Sequence, residues 1–361
     1  MTVPDRNFWS GRRVLLTGHT GFKGSWLTLW LERLGAKVTG LALAPPTTPS
    51  LFELAEIANL CTSHLCDIRD PEIVNRIVRA ARPEIVLHLA AQPLVRQSYL
   101  EPMTTFSTNV LGTAHLLEAI RLVGGIRAAV IVTTDKVYRD HAPINGNPLQ
   151  SSLAYTESDP LGGHDPYAAS KAASEIVAES YRQAFLQEAG CAVATARAGN
   201  VIGGGDWSAD RILPDAMRAW LGGQPLVVRR PDAVRPWQHV LEPLAGYLRL
   251  AERLWQDPAL ASAYNFGPPQ DAAASVRTVV ELAREALGRG ETIFQSASEG
   301  PHESAWLALD STKSCSLLGF RPRFDLVSSI NHAVKWYCRQ SRGESALSLC
   351  HADIDAFEVA A

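Results

Sequence analysis

Apolar positions in the first half of the chain fall into two kinds of run that alternate. Short runs at 13–17, 37–42, 63–67, 84–89, 128–133 and 191–198 stand out, and all but 63–67 are rich in Val, Leu, Ile and Ala. Runs of this length and uniformity read as strands buried on both faces. Between them lie longer stretches with apolar residues at helical spacing, at 22–34, 71–81, 102–122 and 166–186. The punctuation agrees with that reading. Asp70 and Asp165 stand before Pro71 and Pro166, the arrangement of a helix N-cap followed by proline in the first turn, and Gly35 closes the first helix. Strict alternation of this kind predicts an α/β fold, a Rossmann-type doubly wound parallel sheet with helices on both faces.

After residue 200 the alternation weakens. Gly and Pro clusters at 203–205, 222–223 and 268–269 separate shorter elements, with helices expected near 210–221, 241–255, 275–288 and 326–340. This predicts a smaller mixed C-terminal region packed on the C-terminal edge of the sheet, where open α/β sheets bind ligands. The expected division is 1–199 for the sheet domain, with parts of 235–270 returning to it, 200–345 for the smaller region, and 346–361 as a tail frayed beyond Gly343.

Composition narrows the class without naming the chemistry. The 361 residues carry 34 basic and 37 acidic side chains, a formal charge of −3. That balance argues against a nucleic-acid-binding surface. No uncharged apolar run reaches the roughly 20 residues of a membrane helix. The first residues lack the layout of an export signal. The six cysteines form no C-x-x-C pair, so no metal site is expected. A cytoplasmic protein with reduced thiols is the expectation.

The chemistry begins at GHTGFKG (18–24), between the first strand and the first helix. It is a G-x-x-G-x-x-G variant of the dinucleotide fingerprint. Gly18 serves the tight turn, Gly21 the approach of a pyrophosphate, and Gly24 the close packing of helix on sheet. Helix-start N–H groups then meet the phosphates. Gly18, Thr20, Gly21, Phe22, Lys23 and Gly24 are the candidate cofactor contacts here. Asp67 and Ile68 follow the third strand, on the adenine side. Ala90, Ala91 and Gln92 follow the fourth, on the nicotinamide side, with Thr133 behind; Asn109, mid-helix, is kept as a cofactor candidate that is either structural or a bridge to that loop. After the second strand the sequence is LALAP (41–45), with neither the acid that holds an adenosine ribose nor an arginine for a 2′-phosphate. NAD and NADP therefore both stay open.

Tyr167 and Lys171 are one turn apart on one helix face. A nearby cation lowers the pKa of a phenol, and Thr134, at the end of the fifth strand, can share a substrate oxygen with it. Thr134, Tyr167 and Lys171 together can take a hydroxyl proton while a dinucleotide takes the carbon-bound hydrogen.

At this point the chain resembles the extended short-chain dehydrogenases/reductases and, within them, the nucleotide-sugar 4,6-dehydratases. The motifs that carry the resemblance are GHTGFKG (18–24), AQPLVR (91–96), TDK (134–136), GGHDPY (162–167), RAGNVIGGGDW (197–207), RPWQHV (235–240) and YNFG (264–267). The resemblance implies a tightly bound, recycled NAD and a nucleoside-diphosphate sugar substrate. It implies oxidation at C4, loss of water across C5–C6 and return of the hydride to C6. Tyr167 is then the C4 base, Asp135 the acid for the leaving hydroxyl, and Lys136 or a water the C5 base. Lys136, where many relatives carry Glu, matches the CDP-glucose members. Arg96, Asn200, Arg211, Arg235 and Asn265 become candidates for the nucleotide sugar, and His239, His302 and Glu303 are left without a role. A homodimer or tetramer built on helices 102–122 and 166–186 is also implied.

Besides the missing acid after strand two, one departure from the family stands out. Segment 139–155 is long, rich in Pro and Asn, and lacks tryptophan, which predicts a lid with its own contacts. A 4-epimerase or decarboxylase on the same scaffold would share the glycine and Tyr/Lys motifs but would not need Asp135 and Lys136. A non-catalytic nucleotide-sugar-binding protein would not need Thr134, Tyr167 and Lys171.

Overall fold

A computed structural model describes residues 3–140, 154–295 and 306–360. Most of the expected lid, 141–153, and both His302 and Glu303 lie outside these residues.

The main sheet has seven strands, β1 (Arg13–Thr17), β2 (Lys37–Ala42), β3 (Thr62–Leu65), β4 (Ile85–His88), β5 (Ala128–Val132), β6 (Ala192–Ala198) and β7 (Ala263–Phe266). Their spatial order is β3-β2-β1-β4-β5-β6-β7, and every pair is parallel. The strand order reverses between β1 and β4, which opens a crevice beyond their carboxyl ends. Every residue of β4, β5 and β6 is buried. That is why β4 and β5 show no polar alternation, while the alternating Thr195 and Arg197 of β6 are buried on a carboxylate, Glu175.

Helices cover both faces. On one side α1 (Phe22–Arg33) buries Trp26 and Trp30 in the larger core. On the other, α2 (Pro71–Ala81), α3 (Gly112–Val123) and α4 (Pro166–Tyr181) enclose the second core, which contains Val74, Leu116 and Ala178. The caps are those expected: the Asp70 side chain accepts from Glu72 and Ile73 N–H, and Asp165 from Ala168 N–H. The stretch expected as one helix over 102–122 instead contains a wide π turn at Ser107–Leu111, with buried Asn109 inside it. The helix at 166–186 likewise ends in a π turn, Arg182–Leu186.

The C-terminal half supplies α5 (Ile212–Leu221), α6 (Leu241–Gln256), α7 (Val276–Leu287) and α8 (Leu326–Gln340) at the expected places. It also forms small strand pairs that the pattern did not foretell. Val201–Ile202 pairs with Gln238–His239, Val234–Arg235 with Ala274–Ser275, and Leu226–Val228 with Thr292–Phe294. Two or three residues are too few to show a period.

The expected frayed tail is a correction. Residues Ala346–Val359 form a helix, α9, that buries Leu349, Cys350, Ile354 and Phe357 in the main core. Arg323 Nη1 donates to the Phe357 and Glu358 carbonyls at 2.8 and 3.1 Å, satisfying the end of that helix. Among the described residues no helix is long and apolar enough to cross a membrane, and no three metal-ligating side chains gather.

Candidate active site

The crevice at the reversal of strand order is a cleft of about 1420 Å³. Its floor is the turn from β1 into α1. Gly18 has φ +80°, and a Cβ there would stand 2.7 Å from Ala90 N. A Cβ on Gly24 would stand 1.9 Å from Gly18 O. Both positions exclude any side chain, which is the requirement of a backbone that must approach a pyrophosphate. Gly21, the N-cap of α1, offers no capping side chain, so the first N–H groups of the helix remain available. The cradle therefore fits a dinucleotide.

Behind the floor runs a chain of neutral hydrogen bonds. Thr17 Oγ1 accepts from Leu89 and Ala90 N–H and lies 2.7 Å from His88 Nδ1. With two donors on it, the hydroxyl donates to Nδ1, so His88 Nε2–H faces Thr113 Oγ1 at 2.9 Å. Burial pushes His88 down to about 3, so the ring is neutral. Thr113 then donates to the Asn109 carbonyl. Asn109 accepts from Gln92 N–H and donates to Ser170 Oγ at 2.8 Å. Gln92 Oε1 in turn accepts from Leu94 N–H. Gln92, read as a cofactor contact, does not line the cleft, and Asn109 takes the bridging alternative: the two brace the loop after β4 against α4. Thr20, Phe22, Lys23, Asp67, Ile68, Ala90, Ala91 and Thr133 do line it. Asp67 is gripped by Arg69 through Nη2–Oδ2 at 2.6 Å.

Thr134, Asp135, Lys136, Tyr167 and Lys171 all reach the same cleft. Thr134 caps the short turn Asp135–Val137, and its hydroxyl donates to Asp135 Oδ1 at 2.9 Å. Lys136 Nζ reaches the same oxygen at 3.3 Å. Asp135 Oδ2 has no partner among the described residues and lies beside Gly199, where a Cβ would stand 3.2 Å from it. Asp135 thus holds one oxygen fixed and presents the other. Burial pushes the Tyr167 phenol up to about 12, with the Thr134 hydrogen bond and the Arg211 charge acting against it. Lys171 is held down to about 8, chiefly by burial, with Glu175 acting in the other direction. The sequence places Lys171 beside the phenol; in the structure its Nζ donates to the Val132 carbonyl at 3.0 Å.

A buried network behind this set was not foreseen. Glu175, one turn beyond Lys171, accepts from the Thr133 and Thr195 hydroxyls and from Arg197 Nε and Nη2, the last two at 2.9 and 3.0 Å. Burial alone would lower the Arg197 pKa; the Glu175 carboxylate reverses this and holds it above its ordinary value. Arg197 Nη1 also donates to Tyr138 Oη, which donates to Asn265 Oδ1 at 2.6 Å. The spacing of Glu175 from Lys171 was the available signal, because i and i+4 share a helix face.

Of the residues read as substrate contacts, Arg96, Asn200, Arg211 and Arg235 line the cleft. Asn265 is a correction. It is fully buried, with its amide donating to the Tyr155 and Asp310 carbonyls, and does not reach the cleft. Arg96 faces Asp210 across the mouth at 3.7 Å, and Asp210 also holds Arg229 at 2.7 Å. His239 lies in the core, pushed down to about 3 by burial.

A Rossmann sheet with a glycine cradle at its crevice and a Thr/Tyr/Lys set opposite defines a short-chain dehydrogenase/reductase. A family model described as GDP-mannose 4,6 dehydratase matches residues 15–332. The CDP-glucose 4,6-dehydratase of Salmonella typhimurium is 44% identical, over 98% of this chain and 98% of that protein. A dTDP-glucose 4,6-dehydratase of Streptomyces antibioticus is 30% identical, over 90% and 92%. Among solved structures, a dTDP-glucose 4,6-dehydratase from Streptomyces venezuelae with NAD bound gives a TM-score of 0.75 at 26% identity, covering 92% of this chain and 98% of that one. The chain belongs to the GDP-mannose 4,6 dehydratase family of nucleotide-sugar enzymes.

Proposed function

We propose that this protein converts CDP-glucose to CDP-4-keto-6-deoxyglucose and water, using NAD that it regenerates within each turnover. The observation that carries this reading is the meeting, in one cleft, of Tyr167 and Thr134 with a buried Asp135 that offers a free oxygen. The 44% identity to a CDP-glucose 4,6-dehydratase along nearly the whole chain supports the choice of nucleotide.

NAD, seated on the glycine turn, supplies a two-electron acceptor that returns what it takes, so the reaction has no net redox change. The residues of the chain move the protons. Tyr167 Oη takes the C4 hydroxyl proton, with Thr134 Oγ1 sharing that oxygen. A phenol buried in this way is a poor base until it is stabilised as phenolate, the role assigned to Lys171 in the loaded cleft. The C4 ketone acidifies the C5–H bond. Lys136 or a water takes the C5 proton and afterwards returns one to C5, and Asp135 Oδ2 delivers one to the C6 oxygen, which leaves as water. Arg211 and Arg235 suit the diphosphate, since guanidinium forks bind phosphate oxygens in pairs. Asn200 and Arg96 complete the sugar-nucleotide side. In this division residues 1–199 hold the dinucleotide and 200–345 the nucleotide sugar.

The exposed apolar side chains Leu100, Met103, Leu111, Leu122, Ile176 and Phe185 all lie on the segments 95–123 and 166–186. A second copy of the chain would cover them, giving a homodimer or a tetramer of such dimers. Six free thiols suit the cytoplasm. Incubation with CDP-, dTDP-, GDP- and UDP-hexoses, read by mass, tests the function. Loss of one water from CDP-glucose supports it. An isomer of unchanged mass would instead mean an epimerase.

A further inference from the structure

Lys23 is the second residue of α1, inside the glycine motif. Side chains of a helix tilt toward its N-terminus, and Lys23 lines the cleft together with Gly18, Gly21 and Gly24 of the phosphate cradle. Its Nζ is 3.1 Å from Tyr247 Oη, on α6, and 5.3 Å from the centre of that ring. The charged groups facing it are Arg211 at the start of α5, Lys171 on α4 and Asp135 after β5. The neutral phenol of Tyr167 opens on the same cleft. Around the Lys23 amine two cations, Arg211 and Lys171, thus stand against one carboxylate, Asp135. A diphosphate would relieve that imbalance.

We propose that Lys23 is a proton-coupled anchor for the cofactor's diphosphate, so that NAD binding takes up a proton at this amine. The inference rests on the dinucleotide reading of the cleft and adds its pH regulation. Burial, helped by Arg211 and Lys171 and opposed by Asp135, pushes Lys23 down to about 7. Near neutral pH the free amine is therefore only partly charged. Tyr247 suits both states, because its phenol, raised by burial, can donate to a neutral amine or accept from an ammonium. A bound dianion favours the ammonium and raises its pKa. The sign follows. Affinity is full below the pKa of the free amine and falls as pH rises from there to the pKa in the complex.

The test is calorimetric titration of the full chain with NAD, in buffers of different ionisation enthalpy. The dissociation constant should rise about fivefold between about pH 6.5 and 8.5, which is an average uptake of about a third of a proton per NAD over that range. Lys23→Met should bind weakly with no such dependence, and Lys23→Arg should bind tightly with none. Circular dichroism checks that both variants fold. A flat wild-type profile, or the same slope in Lys23→Met, overturns the proposal while leaving the cofactor assignment standing. Failure of NAD to bind at any pH overturns both.

Discussion

The two ends of the cleft are built on opposite plans. The cofactor end, from β1 into α1, is made of backbone: Gly18 and Gly24 are pressed against Ala90 N and Gly18 O with no space for a Cβ. Behind that backbone Thr17, His88, Thr113 and Asn109 form one chain of neutral hydrogen bonds, and Lys23 is the ionisable group of the glycine turn itself. The chemical end is made of side chains, several of them charged and buried: Asp135, Lys171, Glu175 and Arg197. A shape made of backbone tolerates almost no substitution, because the clash is with atoms that cannot swing away. A site made of side chains tolerates substitution structurally and loses particular steps of the reaction instead.

The sharpest way to break this contrast is Gly24→Ala. Its methyl group would overlap Gly18 O, so NAD binding and turnover should both vanish, with several kcal/mol lost from stability, on the order of 3. Thermal unfolding and NAD titration read this directly; a well-folded, NAD-binding alanine variant would erase the distinction. Tyr167→Phe should fold and bind NAD normally while turnover falls by about 10³-fold. Asp135→Asn is expected to lose roughly 10²-fold in release of water yet retain oxidation at C4, a split visible as reduced cofactor absorbance without the product mass. If Asp135→Asn were fully active, another group would be the acid.

Acid stability sharpens the cofactor end further. His19 and His88 are pushed by burial to about 4 and about 3, below the value near 6.5 that they regain on unfolding. The unfolded chain therefore binds more protons below pH 6.5, and stability should fall as pH drops from there toward 4. Each histidine contributes up to about 1.4 kcal/mol per pH unit, readable from denaturant melts. The smallest effect belongs to the mouth of the cleft. Arg96→Ala removes a partly exposed pair to Asp210 and should cost under about 1 kcal/mol of stability.

Much of the cofactor end was legible because its constraints are local. Glycines at 18, 21 and 24, a strand before and a helix after, state the turn locally, although the pressure of Ala90 on Gly18 is read only in space. The side chains of the chemical end were also legible as types, since Thr134, Asp135, Tyr167 and Lys171 sit at strand and helix ends that the pattern locates. Their partners were not. Lys171 bonds to Val132, Glu175 to Thr133, Thr195 and Arg197, and Asn265 to Tyr138, Tyr155 and Asp310. Most of these bridge strands or loops far apart in the chain. The short strand pairs of the C-terminal half escaped for a related reason: a two-residue strand exists only because its partner is there. Helix α9 differs, since apolar residues 346, 349, 350, 354 and 357 do carry a helical period.

What the amino-acid order alone determined is the parallel α/β sheet, the dinucleotide turn and the residue types of the reacting set, because periodicity, proline, glycine and capping act over a few residues. What only the tertiary structure decided is which of those side chains are free to act. Among the described residues Asp135 keeps one oxygen unpartnered, Lys23 meets Tyr247, and Asn265 is consumed by the core. Hydrogen-bond partners and burial are properties of neighbours in space, and folding alone brings those neighbours together.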